Sequence, residues 1–291
     1  MTTPKRLAPA KVNLYLHVAP PDDKGYHPLQ SLVVFADAGD KIALNPKGSG
    51  DGLTLHIDGP FAAGLSAGED NLIVKAVRRF EQAAGMRVIA DIHLTKTLPV
   101  ASGIGGGSAD AGAILHLLRE IYAPGMPDRD LEDLAAGIGA DGVMCLWAKA
   151  AIAEGYGERL TPVAIPSLPA VLVNPGVECS TPAVFRQFDL DARFENIQSK
   201  QSFLNISSPD AFIAALKTTR NDLEAPAITL MPEIAAVLSL LNAQPETVFA
   251  RMSGSGATCF ALCRSDDDAV SLSRRLDGLL PGAWVRACRL G

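Results

Sequence analysis

The chain has 291 residues, a formal net charge of −6 and a hydrophobic fraction of 48%. This length predicts two domains with sizeable cores, and the negative charge argues against a general nucleic-acid surface, which would be basic. Aromatic residues make up only 5%, so stacking platforms for single-stranded nucleic acid are poorly supplied.

Residues 7–18 alternate between apolar and mixed positions, which predicts a strand. One face would carry Val12, Leu14, Leu16 and Val18, and the other would carry Lys11, Asn13, Tyr15 and His17. On spacing alone, we interpret the second face as a solvent-facing surface. The alternative is that Lys11 and Asn13, which would point the same way, reach one ligand.

Further elements follow in chain order. Residues 69–84 predict a helix with Asp70 as its cap and Gly85 as its stop, and residues 87–97 predict a strand that ends with Lys96. A helix near 128–136 leads to Asp141, and a strand is expected at 148–155. The prolines at 162, 166 and 169 mark a boundary, so we expect domains at residues 1–160 and 161–291.

The second half begins with an apolar run at 170–173 and continues with helical patterns near 209–217 and 232–242. A glycine-rich turn at 253–258 precedes an apolar run, and a last strand is expected near 283–289. Strands and helices that lack regular βαβ spacing predict an α+β fold.

The segment from Leu98 to Asp110 is glycine-rich and lies between a predicted strand and a predicted helix, with Ser108 as a candidate N-cap. It has no G-K-[ST] ending and lacks the third glycine of G-x-G-x-x-G, which argues against a P-loop and a Rossmann site. Glycine backbones and a helix N-terminus can bind phosphate. We therefore interpret the segment as a phosphate loop for a nucleotide; the alternative is a tight strand–helix junction.

The five cysteines form no C-x-x-C pair, and their odd number argues against a disulfide framework. We expect buried thiols and a cytoplasmic protein. No signal core and no long apolar run is visible, so we expect no membrane partner.

Three glycine-bearing segments, at 8–13, 98–109 and 253–258, resemble the three motifs of the GHMP kinase superfamily. Within it, the chain resembles the branch that phosphorylates the 2-hydroxyl of 4-diphosphocytidyl-2-C-methyl-D-erythritol, in the non-mevalonate route to isoprenoids. The motifs that carry this resemblance run in family order: APAKVNLYLHV (8–18), GYH (25–27), GDKI (39–42), DNLIVKA (70–76), LPVASGIGGGSADA (98–111), GAD (139–141), GYGE (155–158), STPAVF (180–185), NDLE (221–224) and MSGSGAT (252–258).

The resemblance implies a two-domain α+β GHMP kinase fold, with a ribosomal protein S5 domain 2-like N-terminal domain and a ferredoxin-like C-terminal domain. It also implies that ATP is the phosphoryl donor, with Mg²⁺ arriving on its phosphates. Asp141 would be the general base and Lys11 its catalytic partner, with no metal held by the protein itself. The other binding partner would be the cytidine diphosphate-linked methylerythritol substrate. No nucleic acid is expected as a partner.

The resemblance also assigns binding residues. Those that would contact ATP are Asn71, Leu72, Lys96, Pro99, Val100, Ala101, Ser102, Gly103, Ile104, Gly105, Gly106, Gly107, Ser108 and Ala109. Those that would contact the cytidylyl substrate are Asn13, Tyr26, His27, Thr181 and Phe185, with Tyr26 and Phe185 sandwiching the base. Tyr156 stands where the family commonly has a smaller apolar residue. Two alternatives stay open: another GHMP kinase, acting on mevalonate, homoserine or a sugar, and a non-catalytic nucleotide-binding relative.

Overall fold

The structure is a computed structural model, and it describes residues 3–48, 52–191, 194 and 206–291. Its strands are β1 (Lys5–Val18), β2 (Leu29–Pro46), β3 (Leu53–Asp58), β4 (Ala90–Thr95), β5 (Ala151–Gly155), β6 (Arg159–Pro162), β7 (Leu168–Asn174), β8 (Thr247–Met252), β9 (Cys259–Cys263) and β10 (Trp284–Leu290). Its helices are α1 (Leu72–Ala84), α2 (Gly106–Tyr122), α3 (Asp128–Ala136), α4 (Gly142–Trp147), α5 (Thr181–Asp191), α6 (Pro209–Leu216), α7 (Glu224–Leu230), α8 (Glu233–Asn242) and α9 (Asp266–Leu279). This mixture confirms the predicted α+β class.

Contacts between residues divide the chain into two compact units that interleave along the sequence. The first unit comprises Met1–Ala10, Gly39–Val100 and Gly105–Ala148, and the second comprises Lys11–Ala38, Ala101–Ile104 and Lys149–Gly291. The chain therefore passes from one unit to the other between Ala10 and Lys11, and it does so twice in the glycine loop, after Val100 and after Ile104. The division into domains at residues 1–160 and 161–291, which the proline cluster indicated, stays a prediction.

In the first unit, the second half of β2 pairs antiparallel with β4, from Lys41 opposite Thr95 to Pro46 opposite Ala90. Strand β3 pairs parallel with β4 on its other edge. Helix α2 packs against α1 and α4, which themselves contribute buried apolar residues such as Phe80 and Leu146. Every residue of α2 from Ala109 to Leu118 is buried, so the middle of this helix is enclosed on all sides.

In the second unit, β5 pairs antiparallel with the first half of β2 and with β6. The first half of β2 also pairs antiparallel with β10, at Ala36 opposite Leu290, and further antiparallel pairs join β10 to β7, β7 to β9, and β9 to β8. Helices α5, α7, α8 and α9 contribute apolar residues to one core with these strands, which includes Val173, Val184, Leu241, Met252 and Leu276.

The predicted elements are confirmed in kind, and some of their ends differ. Helix α1 stops at Gly85, which adopts the left-handed conformation with φ 64°, as predicted. Its N-cap, however, is Asn71 and not Asp70, because the Asp70 carboxylate accepts a hydrogen bond from Ser66 Oγ at 2.5 Å. Ser108 is not a cap either: α2 already begins at Gly106, because Gly105 takes the positive φ of 65° that starts the helix earlier.

The interpretation of the polar face of β1 as solvent-exposed is wrong. Lys11, Asn13, Tyr15 and His17 are all less than a tenth exposed. Alternation indicates that a strand has two different faces, but it does not say whether the polar face is covered. In this chain other segments cover it, and the polar groups lie in contact with protein.

All five cysteines are buried thiols, as predicted. Burial raises the pKa of Cys263 and Cys288 to about 12, so both stay protonated at neutral pH. Within the described part of the chain, no helix is both long enough and apolar enough to cross a bilayer.

Candidate active site

The first turn of α2 brings several of the predicted ATP-binding residues together. A Cβ added at Gly106 would lie 3.1 Å from Lys96 Nζ, and one added at Gly107 would lie 3.1 Å from Leu72 Cδ1. A side chain at position 106 would require Lys96 to move by a few tenths of an ångström, whereas the backbone of Gly106 lies in the helix and does not itself require glycine. The start of α2 therefore lies directly over Lys96 and Leu72.

Asn71 fixes the position of Leu72. Its side-chain oxygen accepts a hydrogen bond from the backbone N–H of Ile73 at 2.9 Å, and its amide donates to the carbonyl of Ser66 at 2.7 Å. Both ends of the side chain thus hold the beginning of α1.

Lys96 lies in a buried cluster of charges. Its ammonium donates to Asp40 Oδ2 at 2.5 Å and to Asp110 Oδ2 at 2.7 Å, and all three side chains are at most 5% exposed. The other Asp40 oxygen accepts from the backbone N–H groups of Thr97 and Leu98. Asp40 therefore ties the end of β4 to the chain that enters the glycine loop.

Burial and the neighbouring charges together raise the pKa values of two groups in this cluster, Lys96 and Asp110. Burial lowers the pKa of the Lys96 ammonium, but the two carboxylates more than reverse this, so its pKa is raised. Burial raises the pKa of Asp110, Lys96 opposes the rise, and the Asp40 carboxylate adds to it. Lys96 thus stays charged at neutral pH as the counter-ion of two aspartates.

Residues 101–104 of the glycine loop contact the turn at 253–258. The carbonyl of Ser102 accepts hydrogen bonds from Thr258 N at 3.3 Å and from Thr258 Oγ1 at 2.7 Å. Gly103 has φ 75°, and a Cβ added there would lie 2.3 Å from the carbonyl oxygen of Gly256. Only a glycine allows this approach of the two backbones. The second and third glycine motifs are therefore joined through their main chains.

The first motif joins the same group. The backbone N–H of Lys11 donates to the carbonyl of Ile104 at 2.9 Å, and that of Asn13 donates to Ser253 Oγ at 3.0 Å. Asn13 Nδ2 donates to Ser31 Oγ at 2.7 Å. Asn13 Oδ1 is buried and has no hydrogen-bond partner among the residues that the structure describes. A buried acceptor without a donor is costly, and a donor on a ligand would satisfy it.

The other residues of the predicted phosphate loop vary in exposure. Pro99 and Ala109 are buried, Ala101 is exposed with φ 51°, and Val100 is 43% exposed. Ser108 lies half-buried within α2.

Asn221 lies in the NDLE motif at 221–224 and was not among the predicted site residues. The Asn221 amide donates to the carbonyls of Met252 and Gly254, at 2.9 and 2.8 Å. Its oxygen accepts from the backbone N–H of Leu223. Asn221 therefore holds the turn at 253–258 in shape; an asparagine before an acidic residue is too common a pattern to have indicated this.

Thr181 and Phe185 lie one turn apart on α5, so they share a face of that helix. Thr181 Oγ1 lies 2.7 Å from Ser255 Oγ, which places the start of α5 at the third glycine motif. The Phe185 ring centroid lies 5.5 Å from that of His27. Of the predicted substrate-binding residues, Phe185 and His27 therefore lie beside each other, and Thr181 lies one helical turn before Phe185.

His27 is held at both ring nitrogens. Nδ1 lies 2.8 Å from the carbonyl oxygen of Ala19, and Nε2 lies 2.9 Å from Asp189 Oδ1. Recognition of a base edge by a His27 ring nitrogen would require one of these contacts to open. Recognition of a base by the backbone groups of His27 would leave both ring contacts intact.

Tyr26 is 65% exposed, and the ring it approaches is that of Tyr156, with centroids 6.0 Å apart. The partner that we expected from the resemblance was Phe185, as the other half of a sandwich around the base. That sandwich stays a prediction.

Asp141 directly precedes the short helix α4. Its side chain makes no capping hydrogen bond to that helix, and the residue is half-buried. The next residue, Gly142, packs closely against the backbone of Ala135, since an added Cβ would lie 1.9 Å from the Ala135 carbonyl oxygen. A glycine at position 142 therefore allows the backbone beside Asp141 to approach α3.

The described residues contain no group of three or more histidine, cysteine or acidic side chains arranged to hold a metal ion. The Lys96 ammonium contacts both Asp40 and Asp110, and these two carboxylates are not part of such a group.

Two family models match the chain: "GHMP kinases N terminal domain" over residues 71–149 and "GHMP kinases C terminal" over residues 202–281. The chain is 50% identical over 286 residues to the 4-diphosphocytidyl-2-C-methyl-D-erythritol kinase of Caulobacter vibrioides (strain NA1000 / CB15N), covering 97% of this chain and 98% of that protein. It is 46% identical to the enzyme of the same name from Hyphomonas neptunium, covering 98% of this chain and 95% of that protein.

Solved structures agree. The chain is similar to a crystal structure of 4-(cytidine 5'-diphospho)-2C-methyl-D-erythritol kinase, with 34% identity, a TM-score of 0.78 and 99% of each chain covered. A homoserine kinase from Cytophaga hutchinsonii, at 21% identity and a TM-score of 0.71 over 98% of this chain and 93% of that one, shares the fold. These matches confirm the predicted two-domain fold, and together they show that the chain belongs to the GHMP kinase family.

Proposed function

We propose that this protein is an ATP-dependent kinase that phosphorylates the 2-hydroxyl of 4-diphosphocytidyl-2-C-methyl-D-erythritol, in the non-mevalonate route to isoprenoids. The observation that carries the proposal is the similarity, over nearly the full length of both chains, to kinases named for this substrate. The family uses ATP as its phosphoryl donor. The homoserine kinase shares the fold at lower identity and does not favour a different substrate.

In this proposal Asp141 accepts the proton of the substrate hydroxyl as its oxygen attacks the γ-phosphorus of ATP. Lys11 assists by stabilising the charge on the transferring group. Phosphoryl transfer depends mainly on positioning and electrostatics, so one carboxylate and one ammonium suffice without a covalent intermediate. Mg²⁺ would enter with ATP and neutralise its phosphates.

Two features of the second unit support the binding roles. The buried Asn13 Oδ1 lacks a donor among the described residues and is suited to accept a hydrogen bond from a substrate hydroxyl or amine. The exposed Tyr26 ring offers an aromatic face to a base. We propose that His27 helps to orient this region, because both of its ring nitrogens are held by protein oxygens.

A substrate panel tests the proposal. The purified protein would be assayed for ADP release with ATP, Mg²⁺ and either the cytidylyl substrate, mevalonate, homoserine or galactose, and phosphorus NMR would locate the new phosphate. We expect turnover with the cytidylyl substrate alone and phosphate on its 2-hydroxyl. Preferential turnover of another alcohol would assign the chain to a different GHMP kinase, and no turnover at all would favour a non-catalytic relative.

A further inference from the structure

The turn that carries Tyr26 is held by the carboxylate of Asp22. Asp22 Oδ1 accepts hydrogen bonds from the backbone N–H groups of Lys24 and Tyr26, both at 2.9 Å. The backbone N–H of Asp22 donates to the carbonyl of Tyr26 at 2.8 Å. One side chain therefore fixes the backbone from which the Tyr26 ring projects.

The second carboxylate oxygen of Asp22 reaches a residue far along the chain. Tyr156 donates its hydroxyl to Asp22 Oδ2 at 2.5 Å. Tyr156 lies between β5 and β6, flanked by Gly155 and Gly157, which both have positive φ. Its backbone N–H donates to Glu158 Oε2 at 2.6 Å. The Tyr156 ring is thus fixed at both its backbone and its hydroxyl.

The two tyrosines form an exposed aromatic pair. Their rings meet edge to face at 67°, and Tyr26 and Tyr156 are 65% and 48% exposed. Aromatic residues make up only 5% of this chain, so two exposed rings rarely lie next to each other by chance. An exposed aromatic surface with a polar rim is typical of a place where a ligand packs.

The hydrogen bond between Tyr156 and Asp22 contributes little to folding, because both groups are reachable by solvent. It persists through neutral pH, because it lowers the pKa of Asp22 and raises the pKa of Tyr156. A contact of this kind acts on the conformation of the turn more than on the stability of the unit.

We propose that Tyr156 is a positioning residue for the pyrimidine base of the cytidine diphosphate group: its hydroxyl, through Asp22, fixes the turn that presents Tyr26, and its ring extends the surface on which the base packs. This inference rests on the proposed function, since it assumes that a cytidylyl group is the ligand of Tyr26. Tyr156 is not among the substrate-binding residues that the family resemblance implied, so the inference adds a new residue to base recognition.

The test measures the affinity for cytidine 5′-diphosphate by calorimetry, and KM and kcat for the full substrate and for ATP. Tyr156→Phe removes the hydroxyl and keeps the ring, while Tyr156→Leu removes both. Tyr122→Phe is the matched control, because its hydroxyl bonds to the carbonyl of Ile89 in the other unit. Circular dichroism and melting curves establish that each variant is folded.

We expect Tyr156→Phe to weaken cytidine diphosphate binding about three- to tenfold, the range for loss of one hydrogen bond. Tyr156→Leu should weaken it further. The KM for ATP and the kcat at saturation should stay within about twofold of wild type, which a general structural defect would not allow.

Two results would overturn the inference, and they are distinguishable. If the wild type binds cytidine diphosphate and Tyr156→Phe binds it as tightly as Tyr122→Phe does, Tyr156 has no part in recognition while the proposed function stands. If the wild type neither binds cytidine diphosphate nor phosphorylates the cytidylyl substrate, the proposed function fails and the inference fails with it.

Discussion

Replacing Lys96 by methionine would remove a buried cation from between two carboxylates while keeping much of the volume of its side chain. The ammonium contacts Asp40 and Asp110 at 2.5 and 2.7 Å. At an effective dielectric constant of about 20, each contact contributes roughly 6 kcal/mol of attraction. Desolvation offsets part of this, and removing one partner of a buried ion pair costs about 3–5 kcal/mol of folding free energy. We expect Lys96→Met to lose stability on that scale at neutral pH.

The loss should depend on pH, with a sign that follows from Asp110. Its pKa is raised in the folded state, mainly by burial, and Lys96 opposes that rise. Without Lys96 the folded protein takes up a proton more readily than the unfolded chain does, so the variant gains stability as pH falls and loses it as pH rises through the raised pKa. Urea unfolding should therefore show a smaller difference from wild type at pH 5 than at pH 8.

Two further variants make the assay specific. Lys75→Met removes an exposed lysine on α1 of the same unit and should change stability little. Adding Asp110→Asn to Lys96→Met should restore part of the stability, because it removes one of two uncompensated charges, whereas Asp110→Asn alone should destabilise. A Lys96→Met variant as stable as wild type at every pH, with only its ATP affinity reduced, would refute the structural argument and place the ammonium on the nucleotide.

Three other predictions concern the glycine loop and the proposed catalytic residues. Gly103→Ala should lower the denaturation midpoint much more than Gly282→Ala, because both have positive φ but only Gly103 would place a Cβ against the carbonyl of Gly256; equal losses would mean that the contact is unimportant. Asp141→Asn should lower kcat by about two or more orders of magnitude, with ATP binding by calorimetry nearly unchanged, and near-normal turnover would remove it from the mechanism. Lys11→Ala should abolish most of kcat at saturating ATP and substrate in a variant that circular dichroism shows to be folded. Lys11→Arg should restore little activity because a planar guanidinium does not replace a compact ammonium; an alanine variant that keeps most of its activity would contradict the assignment.

The sequence by itself determined the elements whose signals are local. The periodicity of residues 69–84 and the glycine after them predicted α1 and its stop, because helix faces and left-handed caps depend on neighbours within a few positions. The order of short motifs likewise indicated the family, because the chemistry of phosphate binding uses particular residues at fixed spacing.

The tertiary structure alone decided what lies across from each residue. Lys96 finds Asp40, 56 positions away, and Asn221 holds a turn about 30 positions further along the chain. The polar face of β1 is buried because distant segments cover it, which alternation does not encode. Burial and ion pairing depend on contacts between segments far apart in sequence. The family resemblance therefore suggested a role for Lys96 at the nucleotide, and only the fold revealed its two aspartate partners.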